Sequence, residues 1–328
     1  MRKILDRSPI DGFVLSILLA VVVAAIFPAK GSFADIMDWV VVGLIALLFF
    51  LYGARLHPRE ALEGLTHWRL HLTILAFTFI AFPLVGLVLK PALTPIIGEQ
   101  LAAGMLYLTL VPSTVQSSIA FTSIARGNVP GAIVSASASN LIGVFLTPVL
   151  VVLLMGSEAG VHITGSSVLK IVLEILVPFI VGQLCRPLIS GFLSKYAAPT
   201  KYVDRSSIVV VVYVAFSAGV VSGMWSIVSA WDVVLVGVIS TAVVIGMLAL
   251  TQWVPQRWGF NRADVIAIQF CGSKKSLATG LPLASVMFAA STVGFIVLPL
   301  MIFHQIQLIL CSMLASRYEK RAIADGIA

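Results

Sequence analysis

Along this chain apolar residues come in long runs, and the charged residues gather in short clusters between them. A helix needs about 20 apolar residues to cross the hydrocarbon of a bilayer. Runs of that kind are read at Ile10–Phe27, Trp39–Gly53, Leu70–Leu89, Leu101–Ile124 and Val129–Met155. A second set lies at Val168–Leu188, Ile208–Met224, Val233–Trp253, Ala263–Phe288 and Thr292–Ala315. The pattern therefore predicts ten spans, of which the second is short for the task.

Composition agrees with that reading. Of the 328 residues, 59% are apolar and 11% are charged, against about 25% charged in an ordinary soluble domain. So few charges cannot cover a water-facing surface of this size. A soluble enzyme, a secreted disulfide scaffold and a disordered chain are excluded, and the composition gives no support to collagen, a coiled coil or a DNA-binding protein. The three cysteines, Cys185, Cys271 and Cys311, are scattered and have neither disulfide-framework nor metal spacing.

The net charge of +7 is explained by loops held on the cytoplasmic side rather than by nucleic acid. With a cytoplasmic N-terminus, the inner loops hold Arg2, Lys3, Arg7, Arg55, Arg59, Arg69, Arg126, Arg186, Lys195, Lys201, Arg205, Arg257, Arg262, Arg317, Lys320 and Arg321. Only Lys30, Lys90 and Lys170 fall outside. A miscounted span would scramble this bias. The expectation is an integral protein of the cell's inner (plasma) membrane with both termini cytoplasmic. Arg2, Lys3 and Arg7 before an apolar stretch also have the layout of a signal peptide. No small-x-small cleavage site follows Phe27, however, and the first run is read as a span.

The runs divide into two sets of five near Gly156–Ser167, giving repeats 1–155 and 156–328. An odd number of spans per repeat forces the second copy into the membrane upside down, a construction common in secondary transporters. Internal matches support the division: Ser118-Ile119-Ala120 with Ser276-Leu277-Ala278, and Thr147-Pro148 with Leu298-Pro299.

Spans four and nine stand apart in chemistry. Span four carries Pro112-Ser113-Thr114-Val115-Gln116-Ser117-Ser118, where a proline removes a helix hydrogen bond beside four hydroxyls and an amide. Span nine carries Gln269-Phe270-Cys271-Gly272-Ser273-Lys274-Lys275-Ser276, then Gly280 and Pro282. Broken helices at equivalent points of two inverted halves mark a transport site. Unwound backbone at membrane depth also requires surrounding protein or a watery cavity.

Lys274 and Lys275 are the sharpest feature. About eleven residues separate Lys274 from Arg262, so the pair lies near mid-membrane. There each ammonium costs roughly 2.5–3.5 kcal/mol on insertion scales. Snorkelling explains such residues near a span end but not here. Three roles remain open: attracting an anionic substrate, shedding a proton to couple transport, or occupying permanently the place of a sodium ion. Ser135, Ser137 and Asn140 on span five either line the same cavity or bond between helices. Glu174, four residues after Lys170, reads as one partner of a helix ion pair. His304, Gln305 and Gln307 read as interhelical hydrogen-bonding groups. Arg126-Gly127-Asn128 and the Arg55–Arg69 segment read as solvated loops.

Ten spans in two inverted fives, with breaks in the fourth and ninth, resemble the bile acid:sodium symporter family. Ala125-Arg126-Gly127-Asn128 resembles that family's Ala-Arg-Gly-Asn segment. Gly272-Ser273-Lys274-Lys275-Ser276 resembles its SBF-like branch, which includes bacterial symporter-like proteins and the seventh member of solute carrier family ten. The resemblance covers essentially the whole chain. It implies an all-α membrane protein with a core domain of spans three to five and eight to ten. Spans one, two, six and seven would form a panel domain, spans four and nine would cross at their breaks, and motion of core against panel would give alternating access.

By position, Gln116, Ser117 and Ser118 match the family's polar ion-binding segment. Ser135 and Ser137 lie beside its span-five hydroxyl, and Lys274 and Lys275 stand at its Gln-Asn positions. Sodium-coupled members carry a glutamate two residues before the glycine, where this chain has Phe270 beside an uncharged Gln269. Two ammonium groups without that carboxylate would repel sodium.

The expected function is secondary transport of a small organic anion. The site residues are Ser113, Thr114, Gln116, Ser117, Ser118, Ser135, Ser137, Asn140, Gln269, Ser273, Lys274, Lys275 and Ser276. No cofactor or firm metal site is expected, sodium or a proton being the candidate coupling ion. The partners are the substrate and the lipid bilayer, and the sequence does not fix an oligomeric state. The alternatives are a sodium-coupled symporter and a non-transporting regulatory protein of the same fold. An intramembrane enzyme with a lysine nucleophile lacks any supporting HExxH, paired aspartate or Ser/His motif.

Overall fold

The computed structural model describes residues 12–55, 67–156 and 172–324, all of whose regular elements are helical. In chain order these are α1 Gly12–Ile26, α2 Ser32–Arg55, α3 Trp68–Ile97, α4 Glu99–Leu110, α5 Gln116–Ile124, α6 Val129–Met155 and α7 Leu173–Lys195. There follow α8 Ala197–Val221, the single turn α9 Met224–Ile227, α10 Ala230–Arg257, α11 Arg262–Gly272, α12 Leu277–Met287 and α13 Ala290–Ala324. Lys170, the expected partner of Glu174, and most of the Gly156–Ser167 boundary fall outside the described residues.

Seven of these helices (α2, α3, α6, α7, α8, α10 and α13) are long and apolar enough to cross a membrane. Their outward faces carry large apolar side chains: Leu188 is 86% and Trp39 79% exposed. A protein in water would cover such surface, whereas lipid requires no cover. The molecule is an integral membrane protein. The other three predicted runs correspond to α1, to the pair α4 and α5, and to the pair α11 and α12. The second run is longer than its sequence pattern indicated, because α2 starts at Ser32 and spans 24 residues. Asp35 and Asp38 in its first two turns are tolerated where the helix N-terminus favours negative charge.

The described residues fall into two compact units, each drawing on both halves of the sequence. One comprises Met1–His57, Met155–Ser229 and Leu281–Val297. Here α2 and α7 approach until backbones touch. A Cβ on Gly53 would stand 2.0 Å from the Phe179 carbonyl oxygen, and one on Gly182 would stand 2.0 Å from that of Phe50. Small residues permit such contact where no hydrophobic effect drives helices together. Arg55, expected in a solvated loop, instead pairs with Asp204 of α8. The Tyr213 hydroxyl donates to the Phe27 carbonyl at 2.9 Å and closes the end of α1.

The other unit comprises Pro58–Leu154, Ala230–Gly280 and Leu298–Ala328. It holds both helix breaks and most of the buried polar groups, including Ser113, Ser118, Gln269, Lys274, Lys275, Thr279 and Gln307. A five-residue π-helical segment, Phe77–Ala81, interrupts α3. Such segments leave backbone groups without their usual partners and recur at functional sites.

The α2–α7 contact predicts that Gly182→Val destabilises the protein by about 1–3 kcal/mol or more. The detergent-solubilised protein should then unfold at a lower temperature. Gly43→Ala, whose new methyl would meet nothing within 4 Å, should leave the midpoint unchanged.

Candidate functional site

Where α4 ends, Val111 turns extended (φ −77, ψ 156), and helix resumes only at Gln116. Where α11 ends at Gly272, helix resumes at Leu277. Each helix end leaves up to four carbonyls without intrahelical partners, and inside a membrane no water meets them. Here the two breaks satisfy each other.

On the first break, the Lys275 ammonium donates to the Thr109 and Val111 carbonyls at 2.7 and 2.8 Å. Thr147 donates to Leu110 at 2.9 Å, and the Ser276 N–H donates to Pro112 at 2.8 Å. Asn140 donates to the Ser113 carbonyl at 2.7 Å. On the second break, Ser113 Oγ donates to the Cys271 carbonyl at 2.5 Å and Ser118 Oγ to that of Phe270 at 3.0 Å. The Tyr107 hydroxyl donates to the Gly280 carbonyl at 2.6 Å. Gln307 bonds both sides of one residue, accepting from the Lys275 N–H at 2.9 Å and donating to its carbonyl at 2.8 Å.

The two lysines, though adjacent and both 0% exposed, have opposite surroundings. Lys275 Nζ donates to a third carbonyl, Thr78 in the π-helical segment, at 2.8 Å. An ammonium has three N–H donors, and all three of these are taken. The C-terminal end of α4, which supplies two of the carbonyls, carries partial negative charge. The Phe82 ring centroid lies 4.3 Å away.

Lys274 Nζ has no hydrogen-bond partner among the described residues. It stands 3.9 Å from the Phe121 ring centroid and 5.6 Å from that of Phe270. A desolvated cation–π contact supplies about 2 kcal/mol. Burying an unpaired ammonium costs several kcal/mol. The rings alone therefore do not offset the charge.

Among the expected residues, the breaks bring together Ser113, Thr114, Ser117, Ser118, Asn140, Ser273, Lys274, Lys275 and Ser276. Thr114 Oγ1 lies 2.7 Å from Ser117 Oγ and 3.0 Å from Ser118 Oγ. Ser273 turns back to the Gln269 carbonyl at 2.5 Å. Asn140, for which lining and bridging were both open, bridges: its Oδ1 accepts from Thr279 Oγ1 at 2.7 Å.

Other expected members stand apart. Gln116 is exposed. Ser135 pairs with His71 Nδ1 at 2.6 Å, and Ser137 is half-buried. Gln269 donates to Leu248 at 2.9 Å and accepts from the Tyr318 hydroxyl at 2.8 Å, in contact with α10 and α13. Ser139, Thr147 and Thr279 were missed, as were the three carbonyls around Lys275. A backbone carbonyl has no sequence signature. Gln307 fulfils its interhelical reading. Among the described residues no group of three or more His, Cys, Asp or Glu side chains could hold a metal.

The Arg126-Gly127-Asn128 turn, expected to be solvated, is built into this unit. Arg126 takes φ 55 and Gly127 N–H returns to the Thr122 carbonyl at 2.8 Å, closing α5 in a Schellman turn. Asn128 donates to Asp264 Oδ1 at 2.6 Å, and Asn261 donates to Oδ2 at 2.8 Å. Buried Asp264 is thus held by two amides, and Asn261 also caps α11. The half-helices α5 and α11 are tied together at the turn as well as at the breaks.

Apolar spans thus surround two mutually satisfied helix breaks, the kind of discontinuity at which membrane transporters place their binding sites. The chain belongs to the SBF-like CPA transporter family, whose model matches residues 11–320. It is 50% identical over 312 residues to the uncharacterized protein PA2026 of Pseudomonas aeruginosa, covering 95% of this chain and 93% of that one. It is 44% identical over 315 residues to “Putative symporter YfeH” of Escherichia coli K12, covering 95% and 94%. Mouse sodium/bile acid cotransporter 7 is 30% identical over 319 residues, covering 95% and 93%.

Gln307→Leu strands the N–H of buried Lys275, at a cost of about 1–3 kcal/mol, and leaves its carbonyl only the longer contact with His304 at 3.4 Å. A clearly lowered unfolding temperature in detergent is expected, and an unchanged one would show that the break does not rely on Gln307.

Proposed function

We propose that the protein is a secondary transporter of a small organic anion in which the Lys275 ammonium takes the place of a coupling sodium ion. One observation carries this reading: three carbonyl oxygens converge on Lys275 Nζ at 2.7–2.8 Å, all donors used, where the helix breaks meet. Hard oxygen ligands of this kind suit a small cation, and here a tethered one fills them. The absence of a carboxylate two residues before Gly272, where Phe270 stands, agrees. The driving force is then a proton gradient or the substrate's own gradient. The names of the mammalian relatives point to bile acids as the first substrates to test.

The wider architecture belongs to the same proposal. Ten spans in two inverted repeats, 1–155 and 156–328, are supported by helical elements at each predicted run and by breaks in the fourth and ninth. Alternating access between a core (spans three to five and eight to ten) and a panel (spans one, two, six and seven) draws support from the two compact units, which follow that division except over Leu281–Val297, grouped with spans one, two, six and seven. The bias of basic residues toward one set of loops favours an inner-membrane protein with both termini cytoplasmic.

The test is uptake of a radiolabelled bile acid by proteoliposomes under sodium, proton or no imposed gradient. Replacing sodium by choline should change the initial rate by less than about twofold, whereas Lys275→Met should lower it by roughly tenfold or more. Uptake that requires sodium, with alanine tolerated at both lysines, would refute the substitution.

A further inference from the structure

We propose that Lys274 is a proton-binding site whose proton and the transported anion bind together, making the protein a proton–anion symporter. This rests on the transport reading above and supplies the coupling ion that it leaves open.

The argument is the contrast between neighbours. Lys275 has an acceptor for every N–H, so its charge is fixed in this conformation. Lys274 is as deeply buried and has none among the described residues. The rings of Phe121 from α5 and Phe270 from α11 lie against it, and Cys271 from α11 with Cys311 and His304 from α13 are the titratable groups coupled to its charge. No carboxylate is among them. His304 is engaged with Gln307 at 2.9 Å and with the Lys275 carbonyl at 3.4 Å. The second ammonium, on Lys275, adds repulsion. A neutral amine fits this environment without a counter-charge; an ammonium needs an anion that the protein does not supply.

The substrate supplies it. In the open site, water delivers the proton, R–NH2 + H3O+ giving R–NH3+ + H2O. A carboxylate or sulfonate then pairs with the new ammonium, and each ligand raises the affinity for the other. On release the anion leaves, Lys274 returns its proton to water, and the empty carrier closes around the amine. Lys275 stays charged throughout, so one proton accompanies one negative charge and a monoanion moves without net charge.

Two experiments on the full-length protein test this. In the first, lysine is labelled with 15N and carbonyl carbons with 13C, and the protein is reconstituted in phosphatidylethanolamine–phosphatidylglycerol vesicles without ligand near neutral pH. A buried Nζ far from carbonyl carbons should give an amine resonance and a carbonyl-contacted Nζ an ammonium resonance. This distance assigns the wild-type spectrum without a variant. Addition of a bile acid should convert the first signal to ammonium; two ammonium signals in the ligand-free protein would overturn the proposal.

In the second experiment, an inward proton gradient should stimulate bile-acid uptake at least about fivefold, the low end of coupling between two ligands. An inside-positive potential should have no effect. Lys274→Arg, permanently charged, should retain anion binding, lose the pH response and respond to potential instead. A retained pH response in that variant would also overturn the proposal. Sodium-dependent uptake with an amine signal at Lys274 would refute the role given to Lys275 and leave that of Lys274 standing.

Discussion

A charge at membrane depth must be compensated atom by atom, because no water is there to do it. In this protein that constraint is met where the Lys275 ammonium gathers three carbonyls, two from the end of α4 and one from a π-helical stretch of α3. The arrangement works in both directions. Without the ammonium, the broken end of α4 would face apolar surroundings with unpaired oxygens. Without the break and the π-helical stretch, the ammonium would meet helices whose carbonyls are already used. Strain in each helix and the cost of burying the lysine cancel together.

The remaining polar groups extend the same logic. Ser113 and Ser118 donate across to the end of α11, while Ser276 N–H returns a bond to Pro112. Neither break is satisfied from its own helix alone. The ends of α5 and α11 away from the breaks are joined by Asp264, held between Asn128 and Asn261. Fastened at two points, these half-helices are suited to move as one piece, and opening one break without the other would strand several buried groups at about 1–3 kcal/mol each.

Against the paired groups at the two breaks, Lys274 stands out. Its Nζ lies against the rings of Phe121 and Phe270 and meets no acceptor among the described residues. Natural proteins keep unmatched polar groups mainly where function requires them. A transport site must be able to gain a ligand, so a site paired throughout in the empty state has nothing to offer one. On the proposed reading, Lys275 holds the scaffold and Lys274 recognises cargo.

The residue pattern by itself determined the membrane class and the two interruptions, because these follow from local chemistry. Apolar length sets a span, proline and clustered hydroxyls weaken a helix, and a lysine far from any loop is costly wherever the chain folds. It also singled out the lysine pair. It could not tell the two apart, since they are neighbours with identical side chains whose difference lies in carbonyls and rings supplied by α3, α4 and α5. For the same reason Ser135 and Gln269 were placed at the site although they bond elsewhere, and Asn128 was read as solvated although it holds a buried carboxylate. Tertiary packing alone decides which acceptor a given donor meets, because hydrogen bonds act over about 3 Å and sequence neighbours in a broken helix can face entirely different partners.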